Sequence, residues 1–232
     1  MRPRRPIRAA RGFTLIELLV AITVMAVMAV MSWQGLDGMT RVRAQTQQRV
    51  DEVLAVQMGL AQWSADLDAL APIAPLKNLD WDGRVLRLVR QGSISSADGL
   101  LVVAWARRVN DGAGQWLRWQ SRPLRGRGEL EDAWQQATLW AQNPNQELKR
   151  REVTVTPLAQ WQLFYYRQDA WTNPLSSDTA APTAGGFMPA MVAADNSTPD
   201  GIRVVLTLPT SSSLAGVITR DWVRPTLGGN KS

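Results

Sequence analysis

The chain has 232 residues, a net charge of +6, no histidine and no cysteine. Those two absences exclude a Ser-His-Asp triad, a cysteine nucleophile and the usual zinc sites, and they leave packing rather than disulfides to hold the fold. Five arginines (Arg2, Arg4, Arg5, Arg8 and Arg11) precede Phe13; without them the charge falls to +1, so the basic balance marks the N-terminus and not a nucleic-acid surface.

From Phe13 to Trp33 the chain is apolar apart from a few small polar residues and one acid, Glu17. About 20 apolar residues suffice to cross a bilayer core. A secretory signal has a shorter apolar region and a small-residue cleavage site, and no such pattern follows here. The segment therefore reads as a retained span, with the arginine-rich end held in the cytoplasm. A carboxylate inside that span is costly unless an opposite charge offsets it, which makes Glu17 a functional candidate.

The helical pattern continues beyond Trp33. Val53, Val56, Leu60, Trp63, Leu67 and Leu70 follow one another at steps of 3, 4, 3, 4 and 3, which is one helix face. Pro72 and Pro75 end it. The spacing predicts a helix from Phe13 to Leu70. Gly35 and Gly38 fall inside it, each costing about 1 kcal/mol relative to alanine, and two readings stay open there: a loosened joint or two tolerated glycines.

Beyond Pro75 the chain turns to β structure. Strands are predicted at Val85–Arg90, Leu100–Val109 and Gln115–Ser121, with the Asn110–Gly114 turn joining the last two into a hairpin. A helix follows at Glu129–Gln142. Further strands are expected at Glu152–Thr156, Gln160–Arg167, Ile202–Leu208 and Val217–Val223. Thr172–Gly201 reads as a long irregular loop and Pro225–Ser232 as a disordered tail. Asn78–Gly83 has the first half of a calcium-loop pattern but Val89 stands where the bidentate acid belongs, so a turn is preferred and no cofactor is expected. Arg122, Arg125 and Arg127 read as a mobile basic loop. Trp116 and Trp119, an odd number of residues apart, face opposite sides of their strand, so at least one points away from any single core. Such a tryptophan is a candidate interface residue.

The run Gly12-Phe13-Thr14-Leu15-Ile16-Glu17-Leu18 resembles the class III signal of type IV pilins and type II secretion pseudopilins. The resemblance implies cleavage after Gly12 by a prepilin peptidase, N-methylation of the new Phe13 amine, and a role for Glu17 in assembly by pairing with such an amine. The implied fold is α+β and pilin-like, a long N-terminal helix packed on mainly antiparallel sheet. Its implied parts are a leader at 1–12, a transmembrane half-helix at 13–33, an amphipathic half at 34–71, a periplasmic body at 72–224 and a tail at 225–232.

Within that superfamily the body is similar to the J-type minor pseudopilins of type II secretion. The similarity rests on Gln34-Gly35-Leu36-Asp37, on Leu60, Trp63, Asp66 and Leu67 of the helix, on the hairpin from Val103-Ala104-Trp105 to Leu117-Arg118-Trp119, and on Thr219-Arg220-Asp221-Trp222. It implies a structural subunit, not an enzyme, in the bacterial inner membrane. Its implied partners are the prepilin peptidase, I- and K-type minor pseudopilins, the major pseudopilin and the inner-membrane assembly platform. A minor type IV pilin in pilus initiation, adhesion or DNA uptake is the alternative. A membrane-anchored enzyme using Asp66 and Asp68 is disfavoured, since residues two apart on a helix diverge by about 200°.

Overall fold

The computed structural model describes residues 13–71, 73, 77–92, 99–110, 112–175 and 198–225. The expected leader through Gly12, most of the expected loop (176–197) and the tail from 226 onward lie outside the described residues. The helix α1 runs Leu15–Asp68, and the chain divides into two compact units, residues 1–48 and 49–232. Residues 34–48 fall in the first unit, and the buried helix residues that join the sheet core, from Val56 onward, fall in the second. The helix also stops two residues short of Leu70, which instead forms a bridge with Arg90. Gly35 and Gly38 are both helical, which accords with the reading of two tolerated glycines in this chain. Two glycine penalties of about 1 kcal/mol each do not break a helix continued on both sides by good helix formers.

In the second unit, β1 (Leu79–Trp81), β2 (Val85–Gln91), β3 (Leu100–Asn110), β4 (Ala113–Gln120) and β5 (Glu152–Pro157) form an antiparallel sheet in that order. Two helices, α2 (Arg127–Gln142) and the single turn α3 (Gln146–Lys149), lie between β4 and β5 in sequence. A second antiparallel sheet has the order β7-β6-β8-β9, from β6 (Gln160–Arg167), β7 (Ala170–Thr172), β8 (Gly201–Leu208) and β9 (Gly216–Val223). The short β1, α3 and β7 escaped the sequence reading because three or four residues carry too little periodicity to register.

The first sheet is buried on both faces. Leu86, Leu88, Val103, Trp105 and Trp116 join Val56, Trp63 and Leu67 of α1 and the inner face of the second sheet in one core. Val85, Val102, Ala104, Ala106, Leu117 and Trp119 join Leu130, Ala133, Ala137 and Trp140 of α2 in another. Trp116 and Trp119 do face opposite ways, but both are fully buried. The expectation of an exposed interface tryptophan therefore fails at this pair, because α2 covers the face that a single-core reading leaves open. Of the basic cluster, Arg127 begins α2 and pairs with Glu131 at 3.1 Å, while Arg122 and Arg125 stand exposed in the segment before it.

A bulge fits the helix to the sheet. Trp116 pairs with Thr156 and Leu117 with Thr154, which leaves Val155 as the extra residue. Val155 is directed at Gly59 of α1, where a built Cβ would lie 2.2 Å from Val155 Cγ1 and 3.1 Å from Trp116. Glycine is thus required by the close approach of helix and bulge, and not by its backbone angles.

Asp66 lies on the same helix face and is fully buried. Its Oδ1 accepts hydrogen bonds from Arg90 (2.6 Å), Arg118 (2.8 Å) and Gln62 (2.9 Å). Its Oδ2 accepts from Arg118 Nε (2.7 Å) and Trp105 Nε1 (2.9 Å). Asp68 accepts from Trp222 Nε1 at 2.7 Å, and Glu52 accepts from the Ser213 amide at 2.8 Å. Three acids on one helix segment thereby engage β2, β3, β4, β9 and the β8–β9 loop. Asp66 and Asp68 serve separate partners, as their divergence on the helix requires.

Gly59→Ala gains helix propensity of about 1 kcal/mol but overpacks against a stiff β-branched side chain, which costs about 1–3 kcal/mol. The expected outcome is a lower melting temperature for the detergent-solubilised variant, followed by tryptophan fluorescence. An unchanged or raised melting temperature would contradict the close approach.

Candidate functional site at the N-terminal segment

Gly12, Phe13 and Glu17, the residues expected from the sequence to serve processing and assembly, stand at or just before the start of α1. Gly12 lies outside the described residues; Phe13 is exposed and precedes the helix. Thr14 and Glu17 form a reciprocal cap. The Glu17 amide donates to Thr14 Oγ1 at 3.4 Å, while Glu17 Oε2 accepts from the Thr14 amide at 3.0 Å and from Thr14 Oγ1 at 2.9 Å. This is the T-x-x-E capping arrangement, which satisfies amides that the first helical turn leaves without partners and sets a negative charge at the positive end of the helix dipole. Both side-chain hydrogen bonds fall on Oε2, which leaves Oε1 for another donor.

The spacing that carries the cap was legible in Thr14-Leu15-Ile16-Glu17, but the sequence reading treated Glu17 only as an acid seeking an external charge. The structure adds an internal partner. The Thr14 amide and hydroxyl hold the carboxylate in one orientation.

From Leu15 to Trp33 the helix surface is apolar and exposed, and it contains the stretch long and apolar enough to cross a membrane. Thr23, the mid-span hydroxyl, donates to the Leu19 carbonyl at 2.8 Å and so presents no free donor. Charge returns at Asp37 and Arg41, which pair at 2.8 Å one helical turn apart. The polar–apolar boundary on this segment therefore falls between Trp33 and Asp37.

The expected helix packing face occupies the second unit. Val56, Trp63 and Leu67 are buried, Leu60 and Leu70 are partly buried against the same core, and Val53 is half-buried. Sequence reasoning missed Gly59, and it named Asp66 for the resemblance without placing it on this packing face, because the face was followed through apolar residues only. An acid placed between Trp63 and Leu67 was the available signal.

The calcium-like segment does other work. Asp82 Oδ1 accepts from the amides of Arg84 (2.9 Å) and Val85 (2.8 Å), closing a turn through Gly83 at φ +90°. Asp80 pairs with Lys77 and Arg87. Burial works to raise the Asp80 carboxyl, but the two cations beside it hold it below the usual carboxylate range. Among the described residues no group of three or more acids, histidines or cysteines is placed to hold a metal ion.

Residues 7–33 match the family described as the prokaryotic N-terminal methylation motif. No curated protein matches the chain. The motif, the long apolar helix that follows it and the antiparallel sheets make this a chain of pilin-like α+β architecture that carries a prokaryotic N-terminal methylation motif.

Proposed function

We propose that the chain is a J-type minor pseudopilin of a type II secretion system, a structural subunit of the tip complex that primes pseudopilus assembly for protein export across the outer membrane. The observation that carries this reading is the methylation motif over residues 7–33, which implies processing by a prepilin peptidase and assembly with other pilin-like subunits. Cleavage follows Gly12, Phe13 is methylated, and the apolar helix stays in the inner membrane as a single span. The basic leader fixes its N-terminal end in the cytoplasm and the sheets in the periplasm. I- and K-type minor pseudopilins, the major pseudopilin and the assembly platform are the partners. No reaction is catalysed.

The J-type assignment draws support from where its characteristic residues meet. Asp66 accepts from Trp105 and Arg118, and the neighbouring Asp68 accepts from Trp222. Asp66, Trp105 and Arg118, which carry the resemblance from separate parts of the sequence, thus meet in one hydrogen-bond network.

In assembly Glu17 pairs with the methylated Phe13 amine of a neighbouring subunit. Its cap orients the carboxylate, and the low dielectric around it makes an unmatched charge costly and so favours one register between neighbours.

Three outcomes check this account. Gly12→Ala is expected to leave the longer precursor in the membrane, read by immunoblot; normal cleavage would overturn the class III signal. Glu17→Gln keeps an acceptor for the cap but removes the charge. Both it and Glu17→Ala are expected to be cleaved normally and to fail in assembly, measured by secretion and by crosslinking to partner subunits. Assembly of Glu17→Gln at the wild-type level would reduce Glu17 to a helix cap. Affinity capture of the detergent-solubilised protein is expected to recover secretion pseudopilins; recovery of pilus subunits would instead favour a minor type IV pilin.

A further inference from the structure

The second sheet has an uncovered edge inside the unit. β6 pairs with β8 from Gln160 to Tyr166, but β7 covers its other side only at Tyr165, Tyr166 and Arg167. Among the described residues, Gln160 to Phe164 therefore have no strand on that side. Such a row of unpaired backbone groups is a ready template for a further strand. Its five residues span about 17 Å at roughly 3.4 Å per residue.

That edge lines a cleft of about 580 Å³, within the size range of ligand sites. Gln160, Trp161 and Gln162 form one wall, and Arg84, Arg107 and Arg108 stand around it. The arginines are not equivalent. Arg108 is neutralised by Glu152, whose two carboxylate oxygens it meets at 2.7 Å. Arg107 donates through Nε to the Leu158 carbonyl at 2.9 Å, and Arg84 is exposed. Neither is in an ion pair among the described residues, so two of the cleft's three arginines have no carboxylate partner there. Trp161, half-buried, is held edge-on to Trp81 with ring centroids 4.8 Å apart, which makes that wall rigid.

We propose that this cleft binds an extended, acidic peptide segment of a partner protein, which adds as a strand to the free edge of β6 and sets its carboxylates against Arg84 and Arg107. Main-chain hydrogen bonds to the edge supply affinity with little regard to sequence, the cations select acidic side chains, and the glutamines serve as donors and acceptors to either. The site is separate from the N-terminal assembly segment and does not depend on which filament the chain joins.

The test uses the full chain in detergent and a fluorescein-labelled Glu-Val-Glu-Val-Glu-Val peptide, with binding followed by fluorescence anisotropy at low ionic strength. The acidic peptide is expected to bind about tenfold or more tighter than its Gln-for-Glu counterpart, and Arg84→Glu to weaken it by a similar factor, the size of one charge-assisted contact. Because Arg84→Glu leaves the leader arginines intact, loss of binding in that variant separates the cleft from the basic N-terminus. A peptide N-methylated at every residue, whose methyl groups block pairing along both of its edges, is expected not to bind. Absence of binding by the acidic peptide, equal binding of its Gln counterpart, undiminished binding to the Arg84→Glu variant, or binding of the N-methylated peptide would each overturn the proposal.

Discussion

The buried carboxylate of Asp66 is the interaction on which the second unit depends. It sits on α1 between Trp63 and Leu67 and gathers Arg90, Arg118, Trp105 and Gln62. A charge with no solvent exposure is tolerated only when its lone pairs are met, and here five donor contacts meet them. Each donor comes from a defined place: β2, β3, β4 or the helix itself. The network therefore fixes both the rotation of the helix and its position along the strands, which a purely apolar contact would leave more degenerate. Loss of one partner would strand the others, and breaking such a pair costs about 3–5 kcal/mol.

The helix, once fixed, dictates the bulge and the glycine opposite it. The extra residue in β5 turns Val155 toward α1, and only a side chain no larger than hydrogen fits at position 59. Two features that look like local irregularities, a strand insertion and a helix-interior glycine, are one packing solution. The other face of the sheet is closed by α2, where Trp119 stacks on Trp140 with centroids 6.3 Å apart. Tryptophan on both faces of one strand serves two cores, and most of the unit's aromatic surface goes to packing.

The N-terminal segment follows a different logic. None of its described residues is buried, and its structure is local: a capped helix start, an apolar stretch and a charged i,i+4 pair after it. Glu17 joins the two halves of its chemistry there. Within the chain it completes a helix cap through one carboxylate oxygen. In the proposed assembly a second subunit would meet an acid whose orientation the cap already restricts.

The sequence by itself determined the class of the fold and the nature of the N-terminus, because both rest on local patterns. Phe13 to Trp33 shows its span by composition, Val53 to Leu67 shows its buried face by period, and Val85 to Asn110 shows its strands by β-branched and aromatic enrichment. The Thr14–Glu17 cap was legible for the same reason, three residues of spacing, although its meaning was missed. What the tertiary structure alone decided involves partners distant in the chain. The burial of Asp66 needs Trp105 and Arg118, more than 35 residues away. The requirement for glycine at 59 needs a bulge at Val155, and the burial of Trp119 needs α2 to fold back across the sheet. Periodicity reports which residues share a face, but only the folded chain supplies what that face meets.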